Sequence, residues 1–459
     1  MGKIAEKMQK FDTFILGSDN KCRVNTNSIE TQLNNNFMVV GGSGAGKTTS
    51  VAYPMLLHAR YSNFVGVFTK IGKLEKIMKY MKRKGYKVRM INFQQPEESE
   101  YGYDPLEYCR TKSDIQALAH AIVNAGEEGR ISMHSDKYWE DSAISLLYVI
   151  MNHIKTGHFE EHGCRMSDVI DFISQLHWVR DDVGDTQPED KYRSEKARLE
   201  DMEEKRKKYP AYVSMWSLED YDKECYNYWQ SVINLGDITG SCVMSSMKTP
   251  FQKIFQPELK ALLNHKNMFH FEELLEPKTA LFVYISPVNM AHHALAGLFY
   301  QQLFKELFEL AEKRKSHILP YPVHVLCDDF ATGCRVPDFA EYISIFREKL
   351  ISVTLLIQSE SQLASIYGQD KAQTIINNCD TYLYLGGMDR KTHESIAQRV
   401  NVPINEVADM PIGAEFFIRR GMKPFMTSRY NLYTDPYYIN EIEDPMAGMS
   451  GKKKKRRSM

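Results

Sequence analysis

The sequence predicts an α/β protein whose mainly parallel central sheet is interrupted by an inserted all-helical domain. Three observations carry that prediction. Strand-like and helix-like runs alternate from about 37 to 106, β-branched runs then all but vanish until about 240, and the alternation resumes at 278. Apolar runs in β-α-β-α-β order read as a parallel sheet with covering helices. The expected division is 1–110 and 241–440 as one discontinuous sheet domain, 111–240 as the inserted all-α domain, and 441–459 as a basic disordered tail.

In the first block, "NFMVV" (36–40) is a short buried-strand run and "KTTSVAYPMLLHAR" (47–60) a helix with Pro54 at a kink. "NFVGVFT" (63–69) gives a second strand. "KLEKIMKYMKRKG" sets Leu74, Ile77, Met78 and Met81 at helical spacing, and "YKVRMINF" (86–93) is a third strand. The middle block holds the helical stretches "TKSDIQALAHAIVNAG", "WEDSAISLLYVIMNHIKTG" and "MSDVIDFISQLHW". Its charged stretch at 180–208 mixes signs, as a solvated helix or loop does, or a partner-docking surface. In the last block "KTALFVYISP", "YPVHVLCDDF", "LISVTLLIQS" and "TYLYLGGM" read as strands, the first followed by the helix "LAGLFYQQLFKELFELAEKRK". There is no internal repeat.

With 459 residues, 43% hydrophobic and 25% charged, the chain has the make-up of a soluble globular protein with room for a large core. Its eight cysteines include no C-x-x-C pair, which argues against a zinc knuckle or disulfide framework and for a reducing, cytoplasmic setting. The net charge is −1, and removing the six positive charges of Lys452 to Arg457 leaves −7. A polyanion must therefore be gripped locally rather than by overall attraction. That basic tail reads either as a solvated end or as a contact for DNA phosphates or an anionic membrane leaflet. No run approaches the ~18 apolar residues of a membrane span. The N-terminus is too charged for a signal peptide, and Glu6 stands where a myristoylation motif needs Ser or Thr.

Chemistry concentrates in "GGSGAGKTT": Gly41, Gly42, Ser43, Gly44, Ala45, Gly46, Lys47, Thr48 and Thr49. This is G-x-x-x-x-G-K-[ST] between a strand and a helix, the context a phosphate-cradling P-loop requires. Glycine-rich backbone can wrap a β-phosphate with successive N–H groups, and the helix N-terminus adds its positive end. Lys47 supplies a charge to the β/γ oxygens and Thr48 a hydroxyl to Mg²⁺, so ATP with Mg²⁺ is the expected ligand. A neighbouring strand should bring a carboxylate, and "VHVLCDDF" ends in Asp328 and Asp329. Asp328 suits the metal and Asp329 the attacking water. Many such ATPases have Glu at the second place, and Asp is one methylene shorter; either the water sits closer or turnover is weak. Arg347, on the helix "EYISIFREK", is a surface ion-pair residue or an arginine finger acting on a neighbouring subunit. Gln358 ends an apolar strand, as an inert amide or facing a γ-phosphate beside the P-loop.

Together these stretches resemble the type IV secretion coupling proteins of the TraG/TraD type. The resemblance runs from about 30 to 435 through "VVGGSGAGKT", "DPL" (104–106), "KYWEDSA", "LCDDFATGCRVPDFAEYISIFR", "IQSESQLASIYG", "IINNCDTYLYLGGMD" and "RGMKPF". It implies a RecA-like motor with an all-helical insertion, assembled as a homo-hexameric ring. Such a ring would use ATP to pass single-stranded DNA with its attached relaxase to secretion-channel proteins. It also assigns Lys47 and Thr48 to the nucleotide, Asp328 to the metal, and Arg347 and Gln358 to the γ-phosphate. Two positions depart from the family: Asp329 replaces Glu, and Thr69-Lys70-Ile71-Gly72 stands where D-P-K-G is usual. The family's N-terminal membrane helices are missing, so a separate anchor, a detached protein or a trimmed chain is expected. Two rivals remain: a related DNA pump or helicase, and a nucleotide-bound substrate receptor with little turnover. Nothing resembles the LSGGQ signature of an ABC transporter.

Overall fold

Strands form where the sequence carries short continuous apolar runs. They are β1 (Thr13–Ile15), β2 (Arg23–Asn25), β3 (Phe37–Val40), β4 (Asn63–Phe68), β5 (Lys87–Asn92), β6 (Thr279–Tyr284), β7 (Val323–Cys327), β8 (Ile351–Ile357), β9 (Thr381–Tyr384), β10 (Ala414–Arg419) and β11 (Phe425–Ser428). The computed structural model describes residues 10–125, 134–157, 164–176, 211, 214–235, 237–330 and 335–443. The charged stretch at 180–208 and residues 444–459 lie outside the described residues; the first three residues of the tail expected from 441, Glu441 to Glu443, belong instead to the π-type turn Ile439–Glu443, with Ile442 buried.

β1 and β2 make a separate antiparallel hairpin, and the other nine strands form one sheet in the order β11-β10-β9-β3-β8-β7-β4-β6-β5. Every pairing from β9 across to β5 is parallel; β10 and β11 add an antiparallel edge. All residues of β3, β7, β8 and β9 are buried. Strands covered on both faces cannot alternate apolar with polar, which is why they read as unbroken runs.

The helix after β3 differs from expectation. Pro54 does not kink a regular helix: Thr48–Ala52 form a π-type turn, and the α-helix Tyr53–His58 then carries Pro54 in its first turn. Proline has no N–H for the carbonyl of Ser50. Widening the preceding turn, with Tyr53 N–H on Thr48 O, moves that gap to a helix start, where it costs little.

The chain divides into two compact units, residues 1–101 with 269–459, and residues 102–268. The second is wider than the 111–240 reading, because the position 240 break falls inside the helix Asp237–Ile254. It also contains helices Lys112–Asn124, His134–Lys155, Met166–Gln175 and Lys223–Ile233, the first opened by a capping box between Thr111 and Asp114. Its two ends meet: Gly102 N–H donates to Asn267 O at 2.8 Å, and Gly102 bridges Met268. In the first unit β5 and β6 are parallel neighbours. The whole second unit therefore occupies the crossover between them, a connection usually made by one helix.

Beneath the sheet, the β1 hairpin packs through Phe14, whose ring lies 4.8 Å from the His324 imidazole and 5.9 Å from Phe37. His324 is 1% exposed, and its two ring nitrogens hydrogen-bond Ser352 Oγ and Thr354 Oγ1, each at 2.7 Å. Burial pushes its pKa down to about 3. The unfolded chain therefore binds a proton at His324 between about pH 6.5 and 3 that the folded chain refuses, so stability is lost as pH falls through that window. In His324→Gln this contribution vanishes. The difference in unfolding free energy between variant and wild type should change by about 1.4 kcal/mol per pH unit across the window, read from urea melts at pH 4 to 7.

Candidate functional site

The loop leaving β3 is shaped by close approach. A Cβ on Gly41 would lie 2.9 Å from the Ala45 Cβ and 3.1 Å from the Leu385 Cβ, and Gly46 takes φ +81°, where a side chain is strained. Gly41 N–H is spent on Ile357 O at 3.1 Å, Gly42 N–H on Gly386 O at 2.8 Å and Ala45 N–H on Gly42 O at 3.1 Å. Ser43, Gly44, Gly46, Lys47 and Thr48 are left with N–H groups that find no acceptor among the described residues. Such a row, at the start of a helix, favours an anion. Thr49 turns inward instead, its hydroxyl donating to Gly46 O at 3.1 Å.

Lys47 is buried, and its ammonium donates to Gly41 O at 2.6 Å and Gly42 O at 3.3 Å. Burial lowers its pKa, while Asp329 and Asp328 raise it. Thr48 Oγ1 donates to Asp328 Oδ1 at 3.0 Å, so two stretches far apart in sequence meet at one point. Asp328 follows β7. Burial, then the neighbouring Asp329, push its pKa up to about 6 against the Thr48 hydrogen bond, Lys47 and Lys70. A buried carboxylate in that state gains from a nearby cation.

Asp329 has φ 51°, an uncommon left-handed backbone for a residue with a side chain, and its Oδ2 accepts from Thr69 Oγ1 at 3.4 Å. Thr69 and Asp329, the two places where the resemblance implies a departure, therefore touch. β8 lies between β3 and β7, so Gln358, the first residue after β8, stands beside the ends of both. Arg347 is not brought to this place. It is exposed in the last turn of the helix Phe339–Lys349, before β8 begins, and the seven residues of β8 separate it from Gln358. At ~3.3 Å per residue that is roughly 23 Å.

Two charged residues escape the sequence reading. Lys70, after β4, acts electrostatically on both Lys47 and Asp328. Arg429, after β11, hydrogen-bonds the carbonyls of Ala45, Leu385 and Ala414. The pair Gly386-Gly387 in "YLYLGG" was a usable signal for the close approach beside the loop; Arg429 has none in its local sequence.

The residues present suit a magnesium-bound polyphosphate. Thr48 and Asp328 offer hard oxygen donors, and the free N–H groups with Lys47 suit phosphate oxygens. Among the described residues no group of three or more His, Cys, Asp or Glu could hold a metal by itself.

The sequence matches the family model for type IV secretory system conjugative DNA transfer over residues 3–402. No curated protein matches it. Among solved structures, it resembles the bacterial conjugative coupling protein TrwBdeltaN70 in complex with sulphate, at 16% identity and TM-score 0.59 over 88% of each chain. TrwB in complex with the non-hydrolysable ATP analogue ADPNP gives 16% and 0.58 over 88% of this chain and 87% of that one. VirB4 of Thermoanaerobacter pseudethanolicus gives 14% and 0.50 over 93% and 98%. At such identities the likeness is one of fold, and with the loop and sheet above it is the RecA-like P-loop NTPase fold.

On β10, Glu415 is 0% exposed, and neither carboxylate oxygen has a hydrogen-bond partner among the described residues. Burial pushes its pKa from 4.5 up to about 8, with Arg429 opposing. Between those values the folded chain holds a proton that the unfolded chain has lost, so stability falls as pH rises through the window. Glu415→Gln removes that dependence. Its melting temperature relative to wild type should climb from pH 5 to pH 8 and level off above, read by differential scanning calorimetry.

Proposed function

The chain belongs to the type IV secretory conjugative DNA-transfer family, and we propose that it is the coupling ATPase of such a system. In this reading it takes single-stranded DNA with its relaxase and spends ATP to drive that substrate to the secretion channel. The observation that carries the reading is the Thr48–Asp328 hydrogen bond, which joins a P-loop to a strand-end carboxylate. Further support comes from TrwB, which is solved with ADPNP and with ADP and Mg²⁺.

We assign residues 1–101 with 269–443 to the nucleotide-binding motor and the helical unit to the insertion. When bound, Mg²⁺ neutralises part of the triphosphate charge and polarises the γ-phosphoryl group. Thr48 and Asp328 would hold it. Lys47 exchanges the Gly41 and Gly42 carbonyls for β- and γ-phosphate oxygens, and the free loop N–H groups hold the β-phosphate. Asp329 orients the attacking water and accepts its proton, and Gln358 faces the γ-phosphate from the end of β8. Arg347, placed at the far end of β8, serves the site of a neighbouring subunit in a homo-hexamer whose pore carries the DNA. No helix among the described residues is long and apolar enough to cross a membrane. Contact with the membrane in this scheme comes through partner proteins.

A second reading, an ATP-bound receptor with little turnover, is favoured by one contact. The Asp329 carboxylate is shorter than the usual Glu and already accepts the Thr69 hydroxyl. Steady-state phosphate release separates the two. The motor requires release by wild type that rises with single-stranded DNA and drops at least ~100-fold in Lys47→Ala; equal and negligible rates would favour the receptor.

The position of Arg347 gives an independent check. Lys47→Ala and Arg347→Ala should each be inactive alone. Mixed assemblies should recover part of the activity, because some interfaces pair an intact loop with an intact finger. No recovery on mixing would remove the role in trans.

A further inference from the structure

Arg429 commits its guanidinium to three backbone carbonyls from three segments. Nε donates to Ala414 O at 3.0 Å, one terminal nitrogen to Ala45 O and the other to Leu385 O. Ala414 opens β10, Leu385 follows β9, and Ala45 lies inside the phosphate loop. The segment at Leu385 already brackets that loop. Leu385 N–H donates to Val40 O and Gly386 O accepts from Gly42 N–H, both at 2.8 Å.

Peptide planarity makes the Ala45 contact informative. The described chain has no cis peptide, and in a trans peptide C=O and N–H point opposite ways. With the Ala45 carbonyl drawn toward Arg429, the Gly46 N–H is turned away from it. Gly46 is one of the residues whose N–H finds no acceptor among the described residues. A loop that keeps N–H groups free for an anion must have its carbonyls satisfied from behind, or its peptides can rotate. A planar fork reaches several carbonyls at once, whereas an ammonium on a flexible stem does not fix their relative positions.

We infer that Arg429 is a positioning residue for the phosphate loop, holding the Ala45–Gly46 peptide so that its N–H faces a bound β-phosphate. It thereby ties the loop to the antiparallel β10–β11 edge. The phosphate half of this statement rests on the ATPase reading; the brace itself does not.

Two measurements test it on the full chain. One is amide hydrogen exchange over residues 41–49 without nucleotide; the other is the Kd of Mg-ADP from a fluorescent-analogue displacement titration. In Arg429→Ala, exchange at the hydrogen-bonded amides of Gly41, Gly42 and Ala45 should quicken and the Kd should rise about tenfold. Added methylguanidinium should restore both, a rescue that a general loss of packing would not show. Unchanged exchange and Kd in a variant that still melts cooperatively would overturn the inference. If Arg429→Ala does not fold, Arg429→Lys decides: it keeps the charge without the fork, so wild-type exchange and affinity there overturn the brace. Wild-type protein that binds no Mg-ADP would sink the nucleotide reading, while the exchange comparison would still decide the role of Arg429.

Discussion

The N–H groups of the loop after β3 can face an anion only if the rest of the loop's polar backbone is satisfied elsewhere, and the sheet order supplies that satisfaction. β8 and β9 flank β3 on its two sides. The last residue of β8 takes the Gly41 N–H, the segment after β9 takes the Gly42 N–H, and Arg429 takes the Ala45 carbonyl. Moving any of these strands would cost the loop a partner before it cost the core a contact. The same order places β7 one strand further out, close enough for Asp328 to accept from Thr48 yet separated from the loop by β8. A gap one strand wide between the two halves of the site is what lets Gln358 stand between them.

Much of this was legible in the chain because parallel strands buried on both faces are short apolar runs. "NFMVV", "YPVHVLCDDF" and "LISVTLLIQS" each contain one strand, β3, β7 and β8, with one to five flanking residues left outside it. The polar residues that end such runs could therefore be placed at strand ends without knowing the strand order. The rest depended on that order. Arg429 works through carbonyl oxygens, which every residue type offers, so nothing in the text around Ala45 or Leu385 announces a guanidinium. The reach of Lys70 depends on the loop after β4 lying beside the one after β7. The kink expected at Pro54 is not found, because the turn before it widens and puts Pro54 at a helix start. The edge of the insertion was blurred because a helix spans the point where the composition changes.

Thr69 and Asp329, where the resemblance implies departures, meet in one contact. An acidic residue at 69 would sit against Asp329 and beside Asp328, three carboxylates around a buried point where burial and Asp329 already push the Asp328 pKa up to about 6. A threonine hydroxyl gives Asp329 a donor instead. The two departures that the resemblance implies thus share one contact, and the positive charge of Lys70 also opposes the rise at Asp328.

The stapling of Gly102 to Asn267 and Met268 has a consequence for how such a chain can diversify. Because the helical unit leaves and re-enters at one spot, whatever lies between is a cassette. It can be exchanged for one of different length or surface without shifting the register of a single strand.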